Sequence, residues 1–226
     1  MHPEVTGVSR FMEKHQFAKI QFLLLVLILS QTGCARIFGW DIHAPGILSE
    51  QFLQSTQALP QRIALYVPPD LFRYESRDRG SRTADPQTYH VGEAYGPMMV
   101  EAFQGAFDEF IFLETEPTEA IMRRYGIPYV VVIRIKEFQN RVTWRGHAIK
   151  IVTEAVTLDS HLEECGRFEA TGISDAEKVF AKKGGPQVNL NAALENNILA
   201  MINYLQDALR TGTWPESQLT SGKVKP

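Results

Sequence analysis

The chain has only two cysteines in 226 residues, Cys34 and Cys165. That excludes a disulfide-stapled scaffold and a four-cysteine zinc site. It also lacks an excess of charge of one sign, with 23 Lys and Arg against 26 Asp and Glu and a formal net charge of -3. Near neutrality removes the electrostatic footprint of non-specific nucleic-acid binding, so no nucleic-acid partner is expected. The one unbroken apolar run, Phe22 to Leu29, reaches about half of the roughly 20 residues that a bilayer-spanning helix needs.

Signatures of chemistry are scarce as well. Gly184-Gly185 precedes a helical pattern, but no Gly-Lys-Ser/Thr follows, so there is no P-loop. No Gly-x-Gly-x-x-Gly fingerprint and no Gly-x-Ser-x-Gly elbow occur. His43, His90, His147 and His161 are widely spread, and the one local cluster, His161 with Glu163, Glu164 and Cys165, falls in a predicted turn. The sequence therefore gives no catalytic residue, metal site or cofactor, and no enzymatic activity is expected.

What is present begins at the N-terminus. Arg10, Lys14 and Lys19 precede the apolar run, and Gln31-Thr32-Gly33-Cys34 follows it. A basic flank, a short apolar stretch and small residues near a cleavage point are the parts of a secretory signal, here residues 1–33. A start at Met12 would give a more typical basic region. Residues 34–61 carry Gly39, Pro45, Gly46 and Pro60 and read as a tether that partly packs on the domain C-terminal to it. Cys165 is expected to be buried, as free cysteines often are.

The rest reads as one domain over residues 62–212, with a polar tail at 213–226. Ile63, Leu65 and Val67 alternate in a first strand that Pro68-Pro69 ends. Residues 69–93 form a long polar loop with Arg73, Tyr74, Arg77, Arg79, Arg82 and Tyr89. Loops of this length are often functional, and these six residues are the expected partner-contact arm. A helix is expected from Gly96-Pro97, with Met99, Phe103, Phe107 and Phe110 on one face. A short strand, Ile111–Leu113, and a brief helix from Pro117 to Gly126 come next. Three strands then form an antiparallel meander from Tyr129 to Gly172. Asn189 or Asn191 caps a last helix striped by Leu190, Leu194, Ile198, Met201, Ile202, Leu205 and Leu209. The fold class expected is α+β: a two-layer sandwich whose mixed, mainly antiparallel sheet has two main helices on one face.

A cysteine directly after Gly33, just past the apolar run, resembles the lipobox of bacterial lipoproteins. Gln31 stands where that family prefers an aliphatic residue. The resemblance implies that Cys34 becomes the lipidated first residue, that acyl chains attach the protein to a membrane, and that Ala35 directs it to the outer membrane. In topology the domain resembles three groups: the auxiliary lipoproteins of ABC-type transport, the lipopolysaccharide-assembly lipoprotein, and the secretion-associated lipoproteins related to the curli channel. The segments Val91–Pro97 and Gly184–Asn191 look family-specific, with no role attached to either. The expected function is a non-enzymatic, periplasm-facing outer-membrane lipoprotein, an accessory or assembly component of an envelope transport or secretion complex. Its expected partners are the membrane and an envelope protein complex or further copies of itself. The alternative is a periplasmic lipid or glycan carrier, with Phe103 or Phe107 lining a groove. An envelope hydrolase ranks below both.

Overall fold

A computed structural model describes residues 39–78, 86–143, 146–174 and 185–214. The chain divides into two compact units, Met1–Trp40 with Arg79–Gln87, and Asp41–Asp78 with Thr88–Pro226. In the first, the Trp40 N–H donates to the Pro86 carbonyl at 2.9 Å. The second carries nearly all the described structure.

In chain order the elements are β1 (Trp40–Ile42), α1 (Glu50–Ser55), β2 (Leu59–Tyr66), α2 (Pro69–Phe72), β3 (Ser76–Asp78), β4 (Gln87–Tyr89), α3 (Val91–Ala106), β5 (Phe107–Leu113), α4 (Glu119–Tyr125), β6 (Tyr129–Thr143), β7 (Gly146–Asp159), β8 (Glu164–Ile173) and α5 (Gly185–Thr211). A five-stranded sheet has the order β5-β2-β6-β7-β8, and three short strands form a second sheet in the order β1-β4-β3. β5 and β6 flank β2 in parallel, whereas β6–β7 and β7–β8 are antiparallel. This is an α+β sandwich with a mixed sheet.

The two faces of the large sheet follow from the period of two. Ile63, Leu65, Val131, Ile133 and Ile151 form the main core with α3 and α5. Ala64, Val130 and Leu113 point the other way, where Met122 of α4 and Ile127 cover them. A bulge between Ile135 and Glu137 shifts the β6 register. It lets Phe138 pack against the main core although the inward residues before it are odd-numbered. One extra residue in a strand changes parity in this way.

α4 follows its local signals. The Thr118 hydroxyl accepts the Ile121 N–H at 3.3 Å, and Gly126 ends the helix with φ 59°. α3 does not. Its expected start was Gly96-Pro97, but it begins at Val91 and holds Pro97 inside. Val91, Ala94, Tyr95 and Met98 are buried there, and that burial outweighs the lost backbone donor of the proline. The C-terminal end also differs: Phe107 and Phe110 lie on β5 rather than on the helix. Their β-favouring run, Phe-Asp-Glu-Phe-Ile-Phe-Leu, pairs with β2.

The segment 41–61 is held along α5 by polar side chains. Asn191 Oδ1 accepts the Gly46 N–H at 3.0 Å, and Glu195 accepts from the Ser49 N–H and hydroxyl, both at 2.7 Å. Gln206 donates to the Gln57 carbonyl at 2.8 Å and to the Ala106 carbonyl, at the end of α3, at 3.0 Å. Ile42, Leu48, Phe52 and Leu59 join the core. Neither Asn189 nor Asn191 caps α5, which already begins at Gly185. Asn189 is buried and donates to the His147 carbonyl. Both asparagines bond sideways, because tertiary acceptors lie within reach.

Candidate functional site

Of the sequence-expected site residues, Cys34, Arg79 and Arg82 lie outside the described residues, as do the expected signal segment and Met12. Arg73 and Arg77 are exposed, and Arg77 pairs with Glu75 at 3.2 Å. Tyr74 is half-buried and packs on the main core. Burial pushes its phenol above the ordinary value. Tyr89 corrects the expectation of a contact residue. It is completely buried, stacks on His147 at 5.8 Å and shares a 2.6 Å hydrogen bond with that imidazole. In the described part of the polar stretch, β3 and β4 pair as neighbouring strands.

Among the described residues of the larger unit, three surfaces that carry grooves or gathered charges stand out. The first is the sheet face opposite α3 and α5. A groove of about 530 Å³ is lined there by Tyr66, Val132, Arg134, Val156, Leu162 and Arg167, among others. Beside it Arg167 Nη1 meets Glu154 Oε1 at 2.9 Å, and Lys136 Nζ meets the same oxygen at 3.5 Å. Arg167 also holds Glu164 through two nitrogens, at 2.9 and 2.6 Å. Burial disfavours the charge on Glu154, but the Arg167 and Lys136 cations outweigh it and keep its carboxyl below the usual carboxylate range. Glu154 is thus held ionised and is no proton donor near neutrality. Arg167 is already matched by two carboxylates. The groove lining contains no serine, cysteine or histidine.

The second surface runs along β5. Among the described residues, β5 pairs on one side only, with β2. A groove of about 470 Å³ borders it, lined by Ile111, Phe112, Leu113, Ile121, Arg124 and Tyr125, among others. Tyr125 is 50% exposed.

The third gathers titratable groups that the sequence scatters. His43, just after β1, stacks on His90 with centroids 4.1 Å apart and planes within 7°. His43 Nδ1 contacts Glu93 Oε2 at 2.8 Å. His90 Nδ1 lies 3.2 Å from Glu75 Oε1 and 3.6 Å from Glu93 Oε1, and its Nε2 lies 3.6 Å from Asp41 Oδ1. His90 precedes α3 directly, and Glu93 is in the first turn. The His90 N–H donates to the Ile42 carbonyl at 3.0 Å, and the Gly92 N–H to the Tyr74 carbonyl at 2.9 Å. Gly92 is required for that approach, since a Cβ there would meet the Leu71 carbonyl oxygen at 2.0 Å. Sequence reading missed this constellation because fifty positions separate His43 from Glu93. The signal at hand was Val91–Pro97, set apart without a role. The local cluster of His161, Glu163 and Glu164 is instead a turn, in which Asp159 Oδ1 accepts the His161 and Glu163 N–H groups at 2.8 and 3.0 Å. Cys165 is half-buried, not buried, and its thiol donates to the Thr157 carbonyl at 3.3 Å.

Among the described residues no helix is long and apolar enough to cross a membrane. No protein-family model matches the chain, and no curated protein matches it. Solved structures do. The hypothetical protein CT253 from Chlamydia trachomatis is similar at 6% identity and TM-score 0.39, over 66% of this chain and 97% of that one. A PelC dodecamer from Paraburkholderia phytofirmans is similar at 12% identity and TM-score 0.34, over 65% and 92% of the respective chains. The lipoprotein GNA1162 from Neisseria meningitidis is similar at 10% identity and TM-score 0.34, over 66% and 99%. Likeness at these levels leaves the chain without an assigned family.

Proposed function

We propose that this protein is a lipid-anchored, periplasm-facing component of the bacterial outer membrane, with no catalytic role. It serves as an accessory or assembly subunit of an envelope transport or secretion complex. The anchor is Cys34, supported by the basic, apolar and small-residue layout before it. Stable attachment needs more than one acyl chain or a second signal.

The observation that carries the docking role is the β5 edge beside its apolar groove. An unpaired strand edge offers backbone N–H and C=O groups to an extended segment of a partner, and neighbouring pockets accept its alternate side chains. The carrier reading is less supported. Phe103 and Phe107, which would line an acyl groove, are buried and packed on each other at 5.6 Å. The core uses that apolar surface, so it is not a cavity for a ligand.

Two measurements test the proposal in cells that express the full chain. Radiolabelled palmitate should enter the protein and be lost in Cys34→Ser, with that variant released from the membrane fraction. Label retained in Cys34→Ser would remove the anchor. For docking, a photo-crosslinking amino acid replaces Tyr125 or, as comparison, the exposed Val188 of α5. A discrete adduct from position 125 alone is expected. Equal products from both positions, or none from 125, would overturn the β5 surface.

A further inference from the structure

We propose a metal site that binds a divalent transition-metal cation of the zinc type, built from His43, His90 and Glu93, with Glu75 beside His90 Nδ1 and Asp41 beside its Nε2. It stands on geometry separate from the lipid anchor and the β5 edge.

The donor set fits that ion class. One ligand atom each from His43, His90 and Glu93 lies within 4.8 Å of the others. Imidazole and carboxylate together suit zinc and its neighbours, whereas calcium and magnesium take oxygen alone. A tetrahedral shell with metal–nitrogen distances of about 2.0–2.1 Å has edges of about 3.3–3.4 Å. His43 Nδ1 to Glu93 Oε2 at 2.8 Å and His90 Nδ1 to Glu93 Oε1 at 3.6 Å bracket that edge through different oxygens of Glu93, and the exposed His43 ring must turn out of its parallel stack on His90 for both Nδ1 lone pairs to face one ion.

A second observation is independent of these spacings. Both ring nitrogens of His90 are shielded from solvent and make no hydrogen bond, although polar oxygens surround them. Ring nitrogens shielded from water and left without hydrogen bonds are costly. A cation at Nδ1 removes that cost: Nδ1 coordinates, and Nε2–H, now 3.6 Å from Asp41 Oδ1, needs only a small shift to donate to it. A carboxylate behind a ligating histidine is the common second shell of such sites. The ion also offsets the crowding of Asp41, Glu75 and Glu93 in one place.

The scaffold is built to hold these groups in register. The hydrogen bond from His90 to Ile42 ties the chain just before His43 to the start of α3, and that from Gly92 to Tyr74 brings up Glu75. The cation would pin the end of β1, the entry to β3 and the first turn of α3. This gives the Val91–Pro97 segment a function: Glu93 ligates, while Gly92 lets the ligand-bearing backbones approach.

The test uses the purified full chain in non-ionic detergent, stripped with a chelator and titrated with Zn²⁺ against a chromophoric competitor. One ion per chain is expected, with a raised melting temperature. His43→Ala and Glu93→Gln, at exposed positions, should each weaken binding by at least about 10-fold, and Asp41→Asn by about 10–100-fold. Their circular dichroism in chelator should match that of the parent. His161→Ala should bind as the parent does, which separates this site from the His161 turn with Glu163 and Glu164. Binding below one ion per chain would overturn the site. Parent-like affinity in both His43→Ala and Glu93→Gln, or an equal loss in His161→Ala, would do the same.

Discussion

Asn197 is the position where a small change should do the most damage. It is completely buried on α5. Its Oδ1 accepts from the Tyr95 hydroxyl at 2.6 Å and from Thr153 Oγ1 at 2.9 Å. Its Nδ2 donates to the Ala170 carbonyl at 2.8 Å and the Ile151 carbonyl at 3.5 Å. All four hydrogen-bonding positions of the amide are in use, and they join α5 to α3, β7 and β8. Asn197→Leu keeps the volume but removes every partner. The Tyr95 and Thr153 hydroxyls keep only their 3.4 Å contact, and the Ala170 carbonyl loses its side-chain donor. Two groups left short at about 1–3 kcal/mol each give a loss of about 4 kcal/mol. Against a typical stability of about 5–15 kcal/mol that is a large fraction. With a urea slope of about 2 kcal/mol/M, the midpoint should fall by about 2 M. Tyr95→Phe removes one donor and leaves Asn197 bonded to Thr153, so it should cost about 1 kcal/mol. The double variant should cost less than the sum, because no tyrosine hydroxyl is then orphaned. Urea unfolding followed by circular dichroism reads all three. A loss below about 1 kcal/mol for Asn197→Leu would refute the network as a determinant of stability.

Two glycines make a matched pair. A Cβ at Gly172 would meet the Ala193 carbonyl oxygen at 2.0 Å, so Gly172→Ala should destabilise by about 1–3 kcal/mol as β8 is pushed from α5. A Cβ at Gly105 meets nothing within 4 Å, so Gly105→Ala in α3 should stabilise by about 0.5–1 kcal/mol; equal urea midpoints for the two would show the packing argument wrong. The stability should also fall with acid in two windows. Burial holds His147 below its ordinary value, only partly opposed by Asp78, so its contribution is full above about pH 6.5 and declines below it as the unfolded chain takes up protons. Glu154, lowered by Arg167 and Lys136 against its burial, contributes above about pH 4.3 and loses that contribution as pH falls through its folded value. His147→Gln should flatten the upper window in a pH series of unfolding curves, and an unchanged slope would exclude His147 as its source. Burial, and then Asp159, raise the Cys165 thiol, so its alkylation near pH 8 should be slower than that of a free thiol; equal rates would refute the protection.

The alternation around Ile63, the capped and glycine-ended α4, the meander and the stripe of α5 were legible because each is a local signal. A period of two or 3.6, a hydroxyl before a helix and a glycine after it act within a few residues. The proposed N-terminal signal and the anchor at Cys34 rest on equally local patterns and lie outside the described residues. Where α3 begins was not legible, because burial of Val91 to Met98 outweighs a proline that in isolation marks a helix start. The roles of Asn189 and Asn191 were not legible either, since their acceptors come from distant stretches of chain. Tyr89 looked like a surface aromatic in a polar loop until β4 carried it inward against His147. The same holds for His43, His90 and Glu93. His90 and Glu93 are three positions apart, but His43 is fifty positions from Glu93, and side chains that far apart share no periodicity. The pairing of β1 with β4 and the hydrogen bonds that tie β1 and Tyr74 to the start of α3 bring them together.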